Sequence, residues 1–343
     1  MQKGFSMRSL HFDGTAVQLK SAPTPAPGEG EVLIRVHAAG VCQTDLEIAK
    51  GYMGFTGILG HEFVGTIEKL GKGAPHEWMG KRACAEINCV CGKCEMCSRG
   101  LSSHCTRRSV IGILNHDGAF ADYIAVPVRN LHAVPEHVTD EEAVFVEPLA
   151  AAFQILRQVP IERRTRVTVL GDGRLGQLCA QVLARTGCVL ALVGHHEDKL
   201  SLAEKLCLPA GLPARANKAG PQFRVSLERD LRPTRDQDVV VDCTGRAEGF
   251  ERALTLVRPR GTVVLKTTVA SAKPLNLAPI VIDEITILGS RCGPFAEAVH
   301  GLASREVNVL PLVSKRVTLE QAEKVFAPGA STASLKTVIR IKD

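Results

Sequence analysis

Between residues 31 and 130, apolar and polar positions alternate in short runs punctuated by glycine and proline; beyond about residue 138 the apolar residues come in longer blocks. Alternation is the period of a half-buried strand, so the first region predicts strands at 31–38, 63–70 and 118–126, with a Pro/Gly-rich turn at 23–30. A short helix is expected to open at Thr44-Asp45, with one of the two capping it. The stretch 143–152 favours helix, and Pro148 within it marks a break or a new helix start. From 166 to 290 the two element types take turns: strands at 166–170, 189–193, 238–242, 260–266 and 285–288, helices at 175–186, 197–206 and 248–257. That rhythm predicts a doubly wound parallel sheet. Prolines and charges break every pattern in 209–237, and no strand is placed there. Helices near 295–303 and 319–326 and a last strand at 336–341 are expected to rejoin the first domain.

Composition changes this picture little. A chain of 343 residues, 45% hydrophobic and 23% charged, suits two domains of an ordinary globular protein. The absence of an 18-residue apolar run and of a cleavable leader predicts no membrane association and a cytoplasmic location. The net charge of +6 is scattered, and one Trp with two Tyr makes a poor base-stacking platform, which argues against nucleic-acid binding.

The twelve cysteines change more. Five fall within 89–105, and Cys91, Cys94, Cys97 and Cys105 have the spacing with which one loop wraps a tetrahedral zinc. Four ligands leave no open position, so this site is expected to be structural, with Cys89 a bystander. A second metal site is expected at His61-Glu62, flanked by Gly60 and Gly65, with Cys42 just after a strand end. A thiolate, an imidazole and a carboxylate suit a catalytic zinc; a surface His-Glu pair beside a buried cysteine is the competing interpretation. Glu147 is the one carboxylate in an apolar run and needs a partner, either a metal or an arginine. Finally, Gly171-Asp172-Gly173-Arg174-Leu175-Gly176 lies between a strand and a helix, where glycines let the backbone approach a pyrophosphate at the helix N-terminus.

Cys42-x-Thr44-Asp45, Gly60-His61-Glu62-x-x-Gly65, the four-cysteine lobe and the glycine turn occur in an order that resembles the medium-chain zinc-dependent alcohol dehydrogenases, across almost the whole chain. The resemblance implies an α/β protein: a GroES-like β-barrel catalytic domain (1–153, with the zinc lobe at 89–105), a Rossmann domain with a doubly wound parallel sheet (154–289), and a return to the first domain (290–343). It implies two zinc ions, a small-molecule alcohol or carbonyl substrate, and a homodimer or homotetramer. Cys42 and His61 take the ligand roles. Val146-Glu147-Pro148-Leu149 is similar to an element of the polyol, threonine and glucose dehydrogenase branch, so Glu62 or Glu147 completes the set, with Glu147 favoured. Asp45 is expected to hold His61, and the Thr44 hydroxyl to relay the substrate proton.

Two features depart from the family. Glu47 stands where many relatives have a proton-carrying histidine. The second Rossmann strand ends in Gly194-His195-His196 rather than in the acid that grips a ribose, and His195, His196 or Lys199 could pair a 2′-phosphate, which favours NADP over NAD. Lys336 corresponds to a basic position that meets the pyrophosphate. The expected activity is hydride transfer between a secondary alcohol or polyol and NAD(P); the alternatives are an NADPH-dependent aldehyde or ketone reductase and a catalytically silent dinucleotide-binding protein.

Overall fold

The computed structural model describes residues 6–207, 223–266, 268, 274–327 and 334–342. The chain divides into two compact units: Met1–Glu147 with Ala298–Ala303 and Val309–Asp343, and Pro148–Glu297 with Ser304–Asn308.

The first unit is built on a seven-stranded sheet of the GroES-like type. Its strands run in the order Leu131–Ala133, Arg82–Ala85, Glu62–Leu70, Glu31–Gly40, Lys336–Arg340, Val313–Thr318, with Tyr123–Pro127 also pairing Glu31–Gly40. Glu31–Gly40 is the spine because its alternate positions Val32, Ile34 and Val36 are fully buried. The last strand pairs antiparallel with the spine at Val338↔Gly40. Across its other edge, Gly40 pairs with Glu62. The register thus brings three segments distant in sequence to one strand end.

The second unit has a six-stranded, wholly parallel sheet in the order Phe223–Leu227, Val189–Gly194, Arg166–Leu170, Gln237–Asp242, Val257–Leu265, Thr286–Gly289. Leu170, Val193, Val240, Val257 and Val263 form its packed centre with Ala253 and Leu256 of the helix Ala247–Leu256. The strand order reverses between Arg166–Leu170 and Gln237–Asp242. Beyond the carboxyl ends of those two strands lies the crevice where doubly wound sheets bind ligands.

Two expectations need correction. Phe223–Leu227 is a strand inside the stretch given none. It is an edge strand, parallel to Val189–Gly194, so Phe223 is buried while Arg224 is exposed, and five residues carry too little pattern to stand out. The short helix after the spine, Gln43–Ile48, has Cys42 rather than Thr44 at its N-cap, while Asp45, the other capping candidate, does close the capping box by accepting from the Cys42 N–H. Pro148 lies in the first turn of Val146–Gln158, where a missing N–H costs nothing. No helix among the described residues is long and apolar enough to cross a membrane.

Candidate active site and dinucleotide site

Cys42 leaves the spine strand and begins the helix Gln43–Ile48; His61 precedes the strand Glu62–Leu70. Pairing of the two strands draws them together, so that ligand atoms of Cys42, His61 and Glu62 lie within 4.8 Å of one another. Gly60 holds φ +98°, and a side chain there would run into the Phe120 ring, so the approach to His61 requires glycine.

Asp45 ties the cluster together. It is wholly buried; its Oδ2 accepts from the Cys42 backbone N–H at 2.8 Å, and its Oδ1 lies 3.1 Å from His61 Nδ1. One carboxylate therefore braces both candidate ligands and leaves the other ring nitrogen of His61 for a metal. Burial lowers the basicity of His61, but the charges of Asp45 and Cys42 outweigh it and hold the pKa well above the ordinary value. A cation is what this donor set asks for. Soft sulfur, imidazole and carboxylate are zinc donors, and a zinc at this point would be held by residues already drawn together.

Glu62 is fully buried and has a second partner, the ammonium of Lys336, itself at 0% exposure. Gly40 makes room for this pair: a Cβ there would come within 2.5 Å of Lys336 Nζ and 2.6 Å of Glu62 Oε2. Phe145 covers the ammonium, its ring centroid 5.4 Å away. Burial pushes the Lys336 pKa down to about 8, against the charges of Cys42 and Asp45. Lys336, expected at a cofactor pyrophosphate, is instead enclosed beside the metal cluster, because a buried carboxylate and a buried ammonium need one another. Glu147, favoured from the sequence, is half-buried in the first turn of its helix and is not among the three clustered residues. Thr44 is half-buried, with its Oγ1 3.7 Å from Cys42 Sγ. Glu47 accepts from Gln43 and Lys50 on the surface, at 2.8 and 3.0 Å.

The four-cysteine lobe also assembles. Sulfur separations of 3.5 Å for Cys94–Cys97, 3.7 Å for Cys94–Cys105 and 3.5 Å for Cys91–Cys105 are close to the roughly 3.8 Å edge of a tetrahedron with ~2.3 Å zinc–sulfur bonds. Backbone N–H groups of Cys97 and Thr106 bring the Cys94 thiol down to about 5, and those of Lys93 and Cys94 bring Cys91 to about 7. Cys89 stays outside the cluster.

In the second unit, Gly171 turns the chain with φ +104°, and a Cβ there would meet the Cys243 carbonyl oxygen at 2.7 Å. A Cβ on Gly176 would overlap the Gly171 carbonyl. Gly173 is the N-cap of the helix Arg174–Ala184, and no side chain caps that helix start, the kind of end at which a phosphate can bind. Asp172 is the residue the sequence did not single out. Its Oδ2 accepts from the backbone N–H groups of His195 and His196, each at 2.7 Å, and its Oδ1 and Oδ2 lie 3.2 and 3.0 Å from His196 Nδ1. A side chain on Gly194 would collide with this carboxylate. A carboxylate therefore does stand at the end of the second strand, contrary to expectation, but it comes from the glycine turn. The signal was complementary: a glycine at the strand end and an acid at the variable position of the turn. His195 Nε2 is paired with Glu228 at 2.8 Å, and the Lys199 carbonyl accepts from Gln177 at 2.7 Å.

Two family models match: alcohol dehydrogenase GroES-like domain over residues 28–136, and zinc-binding dehydrogenase over residues 175–307. The chain is 30% identical to a sorbitol dehydrogenase of Halalkalibacterium halodurans over 336 residues, 96% of this chain and 95% of that protein. It is also 30% identical to an L-threonine 3-dehydrogenase of Coxiella burnetii, over 94% of this chain and 95% of that one. The solved alcohol dehydrogenase TADH from Thermus sp. ATN1 superposes with a TM-score of 0.84 at 25% identity, covering 98% of this chain and all of that one. The chain belongs to the zinc-dependent medium-chain alcohol dehydrogenase superfamily, in the branch that contains the polyol and threonine dehydrogenases. It is an oxidoreductase that moves a hydride between an alcohol and a nicotinamide dinucleotide.

Proposed function

We propose that the protein oxidises a secondary alcohol group of a polyol, or reduces the matching ketone, with one catalytic and one structural zinc per chain. The clustering of Cys42, His61 and Glu62 around a buried Asp45 supports this most directly. A zinc in that cluster supplies a Lewis acid that favours the ionised alcohol. The chain's own residues do the rest. Asp45 fixes the His61 ring and the start of the Cys42 helix. Thr44, beside the ligand sulfur, is placed to accept the substrate's proton and pass it outward. The uncapped N-terminus of Arg174–Ala184 holds the pyrophosphate, with Gly171, Gly173 and Gly176 allowing close approach.

For the carboxylate ligand, proximity supports Glu62 and the Lys336 ion pair supports Glu147, because a carboxylate engaged by an ammonium is a weaker donor. Metal content of Glu62→Gln and Glu147→Gln separates them: the ligand's variant loses catalytic zinc. For the dinucleotide we favour NADP. Asp172 already accepts from two backbone N–H groups and the His196 ring, which leaves it little capacity for ribose hydroxyls, while His195, His196 and Lys199 follow the strand end. A kcat/KM ratio favouring NAD would refute that choice.

A homo-oligomer is supported by the end of the parallel sheet. Thr286–Gly289 is an edge strand, and the nearby helix Ala278–Ile282 leaves Val281 and Ile282 76% and 77% exposed. Val281→Glu is expected to yield monomers in light scattering. Twelve free thiols support a reducing compartment, the cytoplasm. The deciding assay is a panel of polyols, threonine, glucose and simple alcohols with both dinucleotides on zinc-loaded protein. Turnover of a polyol is expected, and turnover of none would refute the reading.

A further inference from the structure

Cys179 and Cys243 have no part in either metal cluster. Cys179 lies one turn beyond Gly176 on the helix Arg174–Ala184 and is fully buried; Cys243 follows the strand Gln237–Asp242 and is half-buried. Their sulfurs are 3.8 Å apart, with the Cys243 thiol donating to Cys179. Cys243 also forms part of the wall of the glycine turn. Its N–H donates to the Leu170 carbonyl at 2.9 Å, its carbonyl abuts Gly171, and its Cβ is 3.8 Å from where a Cβ on Gly176 would lie.

We propose that Cys179 and Cys243 form a reversible disulfide that lowers dinucleotide affinity when the protein is oxidised. The inference rests on the reading of the 171–176 turn as the pyrophosphate site. A disulfide closes to roughly 2.05 Å, so the sulfurs, 3.8 Å apart, must draw in by more than an ångström. One sulfur is carried by the helix whose N-terminus faces the phosphates, the other by the strand end on which the turn rests. Gly171 is already packed against the Cys243 carbonyl, so the approach is relieved by moving the turn itself.

The thiols differ in the way such a pair requires. Burial alone pushes Cys207 up to about 12, and burial, helped by the charge of Glu86, does the same to Cys84. Cys179 is equally enclosed yet lies below the ordinary thiol, because the Cys243 thiol donates to it and the charge of Lys266 adds to the effect. With hydrogen peroxide as the oxidant, the Cys179 thiolate attacks one peroxide oxygen, giving a sulfenic acid and hydroxide. The Cys243 sulfur then attacks the oxidised sulfur and displaces its oxygen as water. The two thiol protons end in water, so two thiols and one peroxide become one disulfide and two waters.

The test uses the full-length, zinc-loaded protein. It is titrated with peroxide, alkylated and mapped by peptide mass spectrometry, while binding of reduced dinucleotide is followed by fluorescence. A cross-link between the peptides carrying Cys179 and Cys243 is expected. The dissociation constant should rise at least about tenfold in step with it, with zinc content unchanged and full recovery in dithiothreitol. Cys179→Ala and Cys179→Ser should each bind the dinucleotide as reduced wild type does and keep that affinity in peroxide. A cross-link without loss of affinity, or oxidation of other thiols with no cross-link, overturns the switch alone. Reduced wild type that binds neither dinucleotide overturns the reading of the turn, and the switch with it.

Discussion

The two candidate metal-ligand clusters of the first unit are assembled in opposite ways. The four-cysteine lobe takes all its ligands from one loop, its sulfurs are satisfied by local backbone N–H groups, and three of its cysteines are only half-buried. The Cys42–His61–Glu62 cluster takes its ligands from two segments, adds Lys336 from a third, and is enclosed with Asp45 at zero exposure. A loop that closes on itself can hold an ion and stabilise its own fold. A buried cluster at a strand end can also keep charged groups under tension between metal, ammonium and carboxylate, which suits a site that must exchange ligands.

The comparison breaks most sharply at Cys42. Cys42→Ala is expected to raise the barrier by about 4 kcal/mol or more, roughly a thousandfold in kcat/KM, while one zinc, that of the lobe, stays bound. Metal analysis and kinetics on the same sample check this; loss of both ions would mean that the clusters are not independent. Lys336→Met leaves Glu62 buried without its ammonium and should cost roughly 3–5 kcal/mol in metal-free protein. Zinc loading should restore part of that cost if Glu62 takes the metal, as read by denaturant unfolding with and without chelator.

Cys97→Ser tests the lobe. It should lower Tm by roughly 5–10 °C, a loss of a few kcal/mol, with kcat of the surviving folded enzyme little changed. The smallest effect belongs to Glu141, which receives Arg316 at 2.7 and 2.8 Å and Arg340 at 2.7 Å from the two closing strands. Its carboxyl, with Arg316 the main cause, is held at about 2, so its contribution is complete above the ordinary 4.5 and fades as pH falls toward 2. The arginines are 43% and 59% exposed, so Glu141→Gln should cost less than about 1 kcal/mol at pH 7 and flatten the acid limb of stability.

The sequence by itself determined what depends on local order. Cysteine spacing defined the lobe, the strand–glycine–helix context defined the tight turn at 171–176, and the alternation of apolar blocks defined the parallel sheet, because each is a property of neighbours in the chain. Tertiary structure alone decided what depends on register. Pairing at Gly40 put Lys336 on Glu62 rather than in a cofactor site, and left Glu147 outside the three-residue cluster. Close packing at Gly194 let Asp172 supply the carboxylate the strand end lacked, and set Cys179 against Cys243 from segments more than sixty residues apart. Spacing reveals ligands that share a loop. Which charge a buried group faces is fixed by strand pairing, and one residue of register changes the answer.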